Sequence, residues 1–421
     1  MRQYDDIVAG AGIWGCTVAR RLAEAGRRVL VLEKRPVIGG NCRCETDPET
    51  GIEIHSYGSH IFHTHNKEVW DFVRRFTDFN GYQHKVLART RALPPDADER
   101  LKAKVEGEGG RIYHLPLGLT LVNKFFDVEL KPSEVKDFMA DEAHSSALFD
   151  AFFRGYTSKQ WGTAPEEIDP GIIKRVPVRS NYDTNYYNDY WQGIPSDGYN
   201  ALFERLLDHP NITVQCNCDF ALDGDGPKVK GEGEGGVEFG NDQTIYYSGP
   251  IDELFGYRFG ALPWRTLRFE TERLSVKDYQ GTAVMNYPEI TVPYTRVHEF
   301  KHYHPEGRGR VEGERPTWGF DAEQTVIMRE YSKTWEMGDE PYYPINNPES
   351  AALLKKYQDA ASTLNSQLST RNIKLVIGGR LGLYKYFDMD QAMAEALAEK
   401  VEGGERVEKV ERVEKVEGLR S

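Results

Sequence analysis

Asp5-Asp6-Ile7-Val8-Ala9-Gly10-Ala11-Gly12-Ile13-Trp14-Gly15, with Glu33 closing the next apolar run, decides the architecture of the amino-terminal part of this chain. Ile7 to Ala9 reads as a short buried strand, and Thr17 to Ala25 as a helix packed on the same sheet. Gly10 permits the tight turn, Gly12 lets backbone approach a diphosphate, and Gly15 lets helix and strand touch. Amides of the first helical turn then face the negative charge. Arg28 to Leu32 supplies a second parallel strand, after which the Glu33 carboxylate can accept both hydroxyls of an adenosine ribose. An acid there argues against a 2′-phosphate. Val37-Ile38-Gly39-Gly40-Asn41 offers a second close approach of backbone to ligand, which the extended dinucleotide of a flavin would use and a nicotinamide cofactor would not need. Trp14 stands where a small side chain would crowd the turn less; its bland reading is an indole that points away from the diphosphate and packs beneath the sheet.

With 421 residues and 39% hydrophobic composition, the chain can bury substantial cores in more than one domain. No apolar stretch approaches the ~20 residues that cross a bilayer, and no secretory signal is visible. Cys42 with Cys44, and Cys216 with Cys218, are close pairs that lack the two-residue gap of zinc knuckles, so buried thiols and no metal site are expected, in a reducing cytoplasm. The formal charge of −13 disfavours a nucleic-acid surface. It does not exclude a small anion, since a few desolvated arginines reverse the potential locally.

Glu68 to Thr77 reads as a helix, and Ala92 to Gly110 as an exposed connection between Val86-Leu87 and a strand at Ile112-His114. From Leu121 to Gln160, apolar residues recur at helical intervals, as in Val135, Phe138, Met139 and Leu148, Phe149, Phe152, Phe153. Helix resumes over Tyr199 to Leu207, and Asn211 to Gln215 and Thr244 to Ser248 read as returning strands. Val284 to Tyr287, Thr295 to Phe300 and Thr325 to Tyr331 suggest a separate, mostly antiparallel sheet. Leu375 to Ile377, the turn Gly378-Gly379-Arg380-Leu381-Gly382 and a helix from about Asp390 repeat the strand, glycine turn and helix of the amino terminus. Residues Gly224 to Gly240, Pro305 to Pro316 and Glu399 to Gly418 are rich in Glu and Gly and read as solvated loops.

Five blocks in order carry a resemblance to a known family: Tyr57-Gly58-Ser59-His60-Ile61-Phe62-His63-Thr64; Tyr156-Thr157-Ser158-Lys159-Gln160-Trp161-Gly162; Ile173-Lys174-Arg175-Val176-Pro177-Val178-Arg179; Tyr294-Thr295-Arg296-Val297-His298-Glu299; and Gly379 to Met389. From about Asp5 to Met393 the chain resembles the bacterial UDP-galactopyranose mutases. The resemblance implies an α/β fold: a Rossmann-like FAD-binding domain with a helical insertion and a mostly antiparallel, six-stranded β-sheet substrate domain. The segments implied are 1–80, 193–256 and 370–400 for FAD, 120–172 for the helical subdomain, 81–119, 173–192 and 257–369 for the sheet and its connections, and 401–421 for a low-complexity tail. It further implies interconversion of UDP-galactopyranose and UDP-galactofuranose without net redox change, by attack of reduced FAD N5 on the anomeric carbon and a flavin–sugar iminium. A UDP-sugar, a cellular electron donor and a homodimer are the implied partners. Two places depart from the family pattern: Ser59 stands in place of a proline, and Leu117-Gly118-Leu119 in place of an Asn-containing segment.

Carried onto this sequence, the resemblance makes Arg175 and Arg296 the diphosphate clamps, because a guanidinium gives parallel hydrogen bonds to phosphate oxygens. Pairing of Arg296 with Glu299, and a surface position for Arg175 beside Lys174, are the bland alternatives. Arg265 is a lesser phosphate candidate, against a salt bridge near Glu270 or Glu272; Tyr186, Tyr331 and Tyr386 approach the sugar diphosphate, and Asn286 the sugar. Phe152, Phe153, Tyr156, Thr157 and Trp161 are assigned to uridine, against ordinary helical packing in which at least one phenylalanine is core. His60 and His63 orient or tune the flavin, and Arg380, Asp388 and Met389 close its site, with helix capping as the alternative for Asp388. Gly10, Gly12, Gly15, Glu33, Gly39, Gly40 and Asn41 complete the cofactor set. An FAD-dependent amine or carotenoid-type oxidoreductase, and a nonenzymatic flavin or nucleotide-sugar binding module, are the competing readings.

Overall fold

The computed structural model describes residues 4–167, 178–223, 226–231, 239–304 and 323–401. Its organising element is a five-stranded, all-parallel sheet in the order Lys374–Ile377, Thr244–Tyr247, Asp6–Ala9, Val29–Leu32, Ile212–Gln215. Val29–Leu32 is an uninterrupted Val-Leu-Val-Leu run, buried at every position, as a strand covered on both faces requires. The helix Ile13–Glu24 lies on one face and buries Trp14, Cys16, Val18, Ala19 and Leu22. It is joined there by the helices Gly198–Leu207 and Met389–Ala398. Sequence positions near 10, 245 and 378 thus meet at the carboxyl edge of neighbouring strands, where ligands of parallel sheets bind.

A second sheet has seven strands, in the order Tyr343–Pro344, Trp264–Leu274, Thr325–Thr334, Arg296–Glu299, Val284–Asn286, Val86–Thr90, Arg111–Leu115. It is antiparallel except where Val284–Asn286 runs parallel to Val86–Thr90. This corrects the six strands expected; the two-residue Tyr343–Pro344 extends one edge. Packed against the seven-stranded sheet is a helical unit, Leu119–Phe126, Val135–Ala140, Glu142–Phe149, a π-helical turn at Asp150–Arg154, and Gly155–Trp161. Its own core gathers Leu121, Val122, Phe125, Phe126, Leu148 and Phe149.

The stretch 92–110 is not a plain connection: Glu99–Gly107 is helical, started by the Asp98 carboxylate accepting the Leu101 N–H at 2.7 Å. The helix Pro348–Leu368, with a reciprocal Asn347/Ser350 cap, has no counterpart in the sequence reading because its buried face is thin, with Tyr357, Ala360 and Leu368 spaced along an otherwise polar surface. Part of the Glu/Gly-rich stretch 224–240 also pairs, as Gly226–Gly231 runs antiparallel to Cys218–Asp223. The expected loop 305–316 and tail 402–418 lie outside the described residues. Among the described residues, no helix is long and apolar enough to cross a membrane.

Candidate active site

The glycine turn does what its composition demands. Gly10 has φ +103°, and a Cβ on Gly15 would stand 2.0 Å from the Gly10 carbonyl oxygen, so strand and helix meet at a distance no side chain permits. Gly12 caps the helix Ile13–Glu24 without a side-chain bond, which leaves first-turn amides to an incoming anion. Opposite, a Cβ on Gly40 would lie 2.9 Å from the Gly12 Cα, so two bare backbones flank the passage. Glu33 is buried: one carboxylate oxygen accepts the Ala11 N–H at 2.8 Å and the other the Arg35 N–H at 2.9 Å. A carboxylate has lone pairs beyond these two. Asn41 Nδ2 and Arg35 Nη1 are buried donors without a partner, and both residues line the same cleft of about 390 Å³. Donors facing a glycine cradle suit a dinucleotide, whose phosphates and riboses are rich in acceptors.

Trp14 packs in the core, as the bland reading expects, and it also lines the cleft. Its indole is buried and lies under the carboxyl-terminal glycine turn, where a Cβ on Gly378 would stand 2.1 Å from Cζ2. The amino-terminal fingerprint and the Gly378-Gly379 turn are therefore one packed unit.

His60, His63, Arg380, Asp388 and Met389 all reach this cleft. Burial pushes His60 down to about 4, so its imidazole is neutral at pH 7 and pairs through Nδ1 with the Gly58 carbonyl at 2.7 Å. His63 is held by Asp189, which bridges His63 Nδ1 at 2.9 Å and His65 Nε2 at 3.2 Å, and it stacks on Tyr187 with ring centroids 3.7 Å apart. Asp189 gave no signal in the sequence, since its partner lies far away along the chain. Asp388 occupies the N-cap position of Met389–Ala398, with its N–H donated to Gln391 Oε1 at 3.1 Å, so it caps and lines the site together. Burial raises the thiol of Cys42, another lining residue, to about 12, which leaves the sulfur uncharged and unreactive. Cys44 converges with Glu53 and His55 on one face of the hairpin Cys44–Thr46/Glu53–His55, a cluster that cysteine spacing alone does not reveal.

Arg296 forms a further wall. Its guanidinium lies over the Tyr156 ring at 5.7 Å and 3.7 Å from Glu330 Oε2, which takes the place that the alternative reading gave to Glu299. Glu299 points away along the strand, to the amides of Tyr279 and Gln280. Asn286, across the ladder from Arg296, has a buried Oδ1 without a partner. Tyr343 stacks on Tyr386 at 5.9 Å and meets Trp161 at 6.5 Å, an aromatic strip in which Tyr343 was not anticipated. Tyr186 is partly exposed and packs edge-on against Tyr187. Thr157 lies half-buried on the same short helix as Tyr156. Lys159 in that helix donates to the carbonyls of Tyr287, Glu289, Val292 and Tyr294, which pins the approach to Arg296.

Four assignments change. Phe152 is core, edge-to-face with Tyr113 and Phe125, and Phe153 packs against the same cluster, because the apolar face of the helical unit needs them. Arg265 is neither a phosphate clamp nor paired with Glu270 or Glu272. It is buried and bonds Gln160 O at 2.8 Å, Lys159 O at 3.1 Å, Thr334 Oγ1 at 2.9 Å and Ser332 Oγ at 3.1 Å, so it ties the helix end to the sheet. Tyr331 falls on the strand face opposite Glu330, where its hydroxyl bonds exposed Glu270 at 2.5 Å and Arg268 covers its ring. Arg175 lies outside the described residues. Replacing Arg265 by alanine is expected to cost about 2–4 kcal/mol, as several buried acceptors lose their donor, while KM for a nucleotide sugar stays within twofold. Urea denaturation and steady-state kinetics check this, and a selective rise in KM would return Arg265 to the binding site.

Comparison with known proteins fits this geometry. The family model described as UDP-galactopyranose mutase matches residues 151–386, and one for an NAD(P)-binding Rossmann-like domain matches 8–76. A probable UDP-galactopyranose mutase of Klebsiella pneumoniae is 36% identical over 414 residues, spanning 94% of each chain. A dTDP-fucopyranose mutase of Escherichia coli is 36% identical over 409 residues, spanning 93% of this chain and 96% of its own. The crystal structure of a reduced UDP-galactopyranose mutase shares the fold, with a TM-score of 0.63 at 16% identity over 94% of both chains. Matched by the family model over more than half of its length and by relatives along nearly all of it, the chain belongs to the UDP-galactopyranose mutase family and is an isomerase-type enzyme.

Proposed function

We propose that this chain interconverts UDP-galactopyranose and UDP-galactofuranose with reduced FAD bound in the cleft. The observation that carries the reading is continuity: Gly10, Gly12, Gly40 and Glu33, which suit a dinucleotide, line the same cleft as Arg296 and Tyr386, which suit a sugar diphosphate. Reduced FAD, when bound, would supply the nucleophile that displaces the nucleoside diphosphate and retains the sugar while its ring opens and recloses. The residues of this chain do the rest. Glu33 holds the adenosine ribose, and the amides after Gly12 face the cofactor diphosphate. Neutral His60, with Nδ1 engaged by Gly58, offers Nε2 to the cleft without adding charge. Arg296 receives the diphosphate of the sugar nucleotide and stabilises its charge as it departs. Asn286 Oδ1 accepts a sugar hydroxyl, and Trp161 with Tyr343 gives the base an aromatic surface.

The test incubates FAD-loaded protein with dithionite and UDP-galactofuranose and separates the sugar nucleotides. UDP-galactopyranose is the expected product, with no conversion by the oxidised protein. Absence of conversion despite bound, reduced flavin would overturn the reading. Because one relative of equal identity is a dTDP-fucopyranose mutase, a parallel arm with dTDP-fucofuranose decides which nucleotide sugar the cleft prefers.

A further inference from the structure

The turn between the strands Val284–Asn286 and Arg296–Glu299 folds its carbonyls inward on one point, and a lysine from another element fills that point. Lys159 Nζ, on the helix Gly155–Trp161, lies 2.5 Å from the Tyr287 carbonyl oxygen, 2.9 Å from that of Glu289, 3.0 Å from Val292 and 2.9 Å from Tyr294. Helix and turn also meet along their backbones. A Cβ on Gly155 would stand 2.4 Å from the Pro288 carbonyl oxygen and 2.9 Å from the Ile290 nitrogen.

An ammonium has three donors, and here four oxygens surround it. At least one oxygen therefore answers to the charge and not to a proton of its own. Carbonyl dipoles converging in this way repel one another unless a cation sits between them, which is how rings of backbone oxygens replace the hydration shell of a monovalent cation. The Glu289 carboxylate is engaged elsewhere, accepting the Arg91 N–H and, at 3.3 Å, the Thr90 hydroxyl. Burial lowers Lys159 to about 8, so the group is still an ammonium at pH 7. The two elements it joins carry different parts of the candidate site. Tyr156 and Trp161 belong to the helix, while Asn286 and Arg296 flank the turn on its two strands. Arg265 and Ser332 tie the end of the helix to the sheet through Gln160 O; Lys159 ties its flank to the turn.

We propose that the carbonyls of Tyr287, Glu289, Val292 and Tyr294 form a monovalent-cation cage whose resident is the Lys159 ammonium, and that Lys159 is a positioning residue for the sugar nucleotide. This rests on the functional reading above, in which Trp161 meets the base and Arg296 the diphosphate. Without a cation in the cage, the carbonyls turn outward to water and the turn lifts from the helix, so one ligand no longer reaches both halves at once. Arg296 itself stays on its ladder, opposite Asn286 on one side and Glu330 on the other. Affinity is thus lost more than chemistry.

The test uses FAD-loaded protein. Lys159→Ala is expected to bind UDP about tenfold more weakly by calorimetry and to raise KM equally, the scale of a lost hydrogen bond to a charged group, with kcat within threefold. n-Propylammonium chloride, which supplies the missing carbons and the ammonium, should return UDP affinity to within threefold of the parent. Tetramethylammonium chloride at equal concentration, with the charge but neither the size nor the N–H donors, should not. Lys159→Met keeps most of the stem and loses the charge, so it should bind UDP as weakly as Lys159→Ala and gain nothing from propylammonium. The cage is also read with no nucleotide present: propylammonium should raise the thermal midpoint of Lys159→Ala and leave that of the parent unchanged. Parental UDP affinity in either variant, equal rescue by the two salts, or no rescue in either readout would overturn the proposal. Failure of the functional reading looks different, since the parent itself then binds no UDP while the thermal response of the cage persists.

Discussion

Arg296→Ala is expected to lower turnover of the sugar nucleotide by about 100- to 1000-fold, the loss seen when a group aimed at developing charge is removed, and to destabilise the fold as well. The second effect comes from Glu330, which is 2% exposed and keeps its charge beside Arg296. Arg296 is itself 30% exposed, and Glu330 keeps His298 and Thr295 as partners, so losing the guanidinium beside this buried carboxylate costs about 1–3 kcal/mol. Arg296→Ala with Glu330→Gln should therefore recover most of the stability and none of the turnover. Urea denaturation and product chromatography separate the two outcomes. A double variant no more stable than the single would show that the buried charge is not the cause, and near-parental turnover of Arg296→Ala would remove the clamp. The pH dependence follows from the same pair. Glu330 titrates at about 2 in the fold against 4.5 ordinarily, so its folded value is depressed. The stability it supplies is complete above about 4.5 and is lost as the pH falls towards 2. Arg296→Ala should flatten that acid limb.

Gly15→Ala is expected to abolish cofactor retention. The new Cβ would stand 2.0 Å from the Gly10 carbonyl oxygen and 3.2 Å from Val8 Cγ1, so the helix must retreat from the strand and carry its first-turn amides with it. Overpacking of this kind costs about 1–3 kcal/mol, and the displaced amides would no longer meet a diphosphate. Purified Gly15→Ala should contain less than a tenth of the parental flavin by absorbance. Gly26→Ala is the control: unlike Gly15, Gly26 has a positive φ of +84°, but nothing lies within 4 Å of its Cβ position, so a modest loss of stability with parental flavin is expected. Parental flavin content in Gly15→Ala would sink the assignment of this turn as the cradle.

What the residues disclosed in advance follows the range of the forces involved. The parallel sheet and its glycine turn were legible because steric demands at Gly10 and Gly15 act within one turn of chain. The helical unit was legible through its apolar repeat, which also carried the packing alternative for Phe152, whereas its uridine assignment came from the family resemblance; a core aromatic and a stacking platform have one composition. Arg265 was opaque because its acceptors are backbone carbonyls of Lys159 and Gln160, which carry no side-chain signature. Tyr331 and Glu330 differ by one position on one strand, and strand alternation gave the cleft to the acid. Ser59 was visible as a departure from a family pattern, but its partner His298 emerges when the loop before Phe62 is laid against the strand Arg296–Glu299.

Trp14 under Gly378 and Gly379 has a consequence for the order of events during synthesis. The strand Asp6–Ala9 lies beside Thr244–Tyr247, which lies beside Lys374–Ile377, and Arg21 Nη1 bonds the Ala396 and Glu399 carbonyls at 2.7 Å. A ribosome that has delivered the fingerprint has delivered neither the floor beneath its indole nor the helix that the arginine ties down. Contacts so distant in sequence form late. The cradle at Gly10 to Gly15 is thus completed by the far later Gly378-Gly379 turn, and cofactor loading waits for that segment.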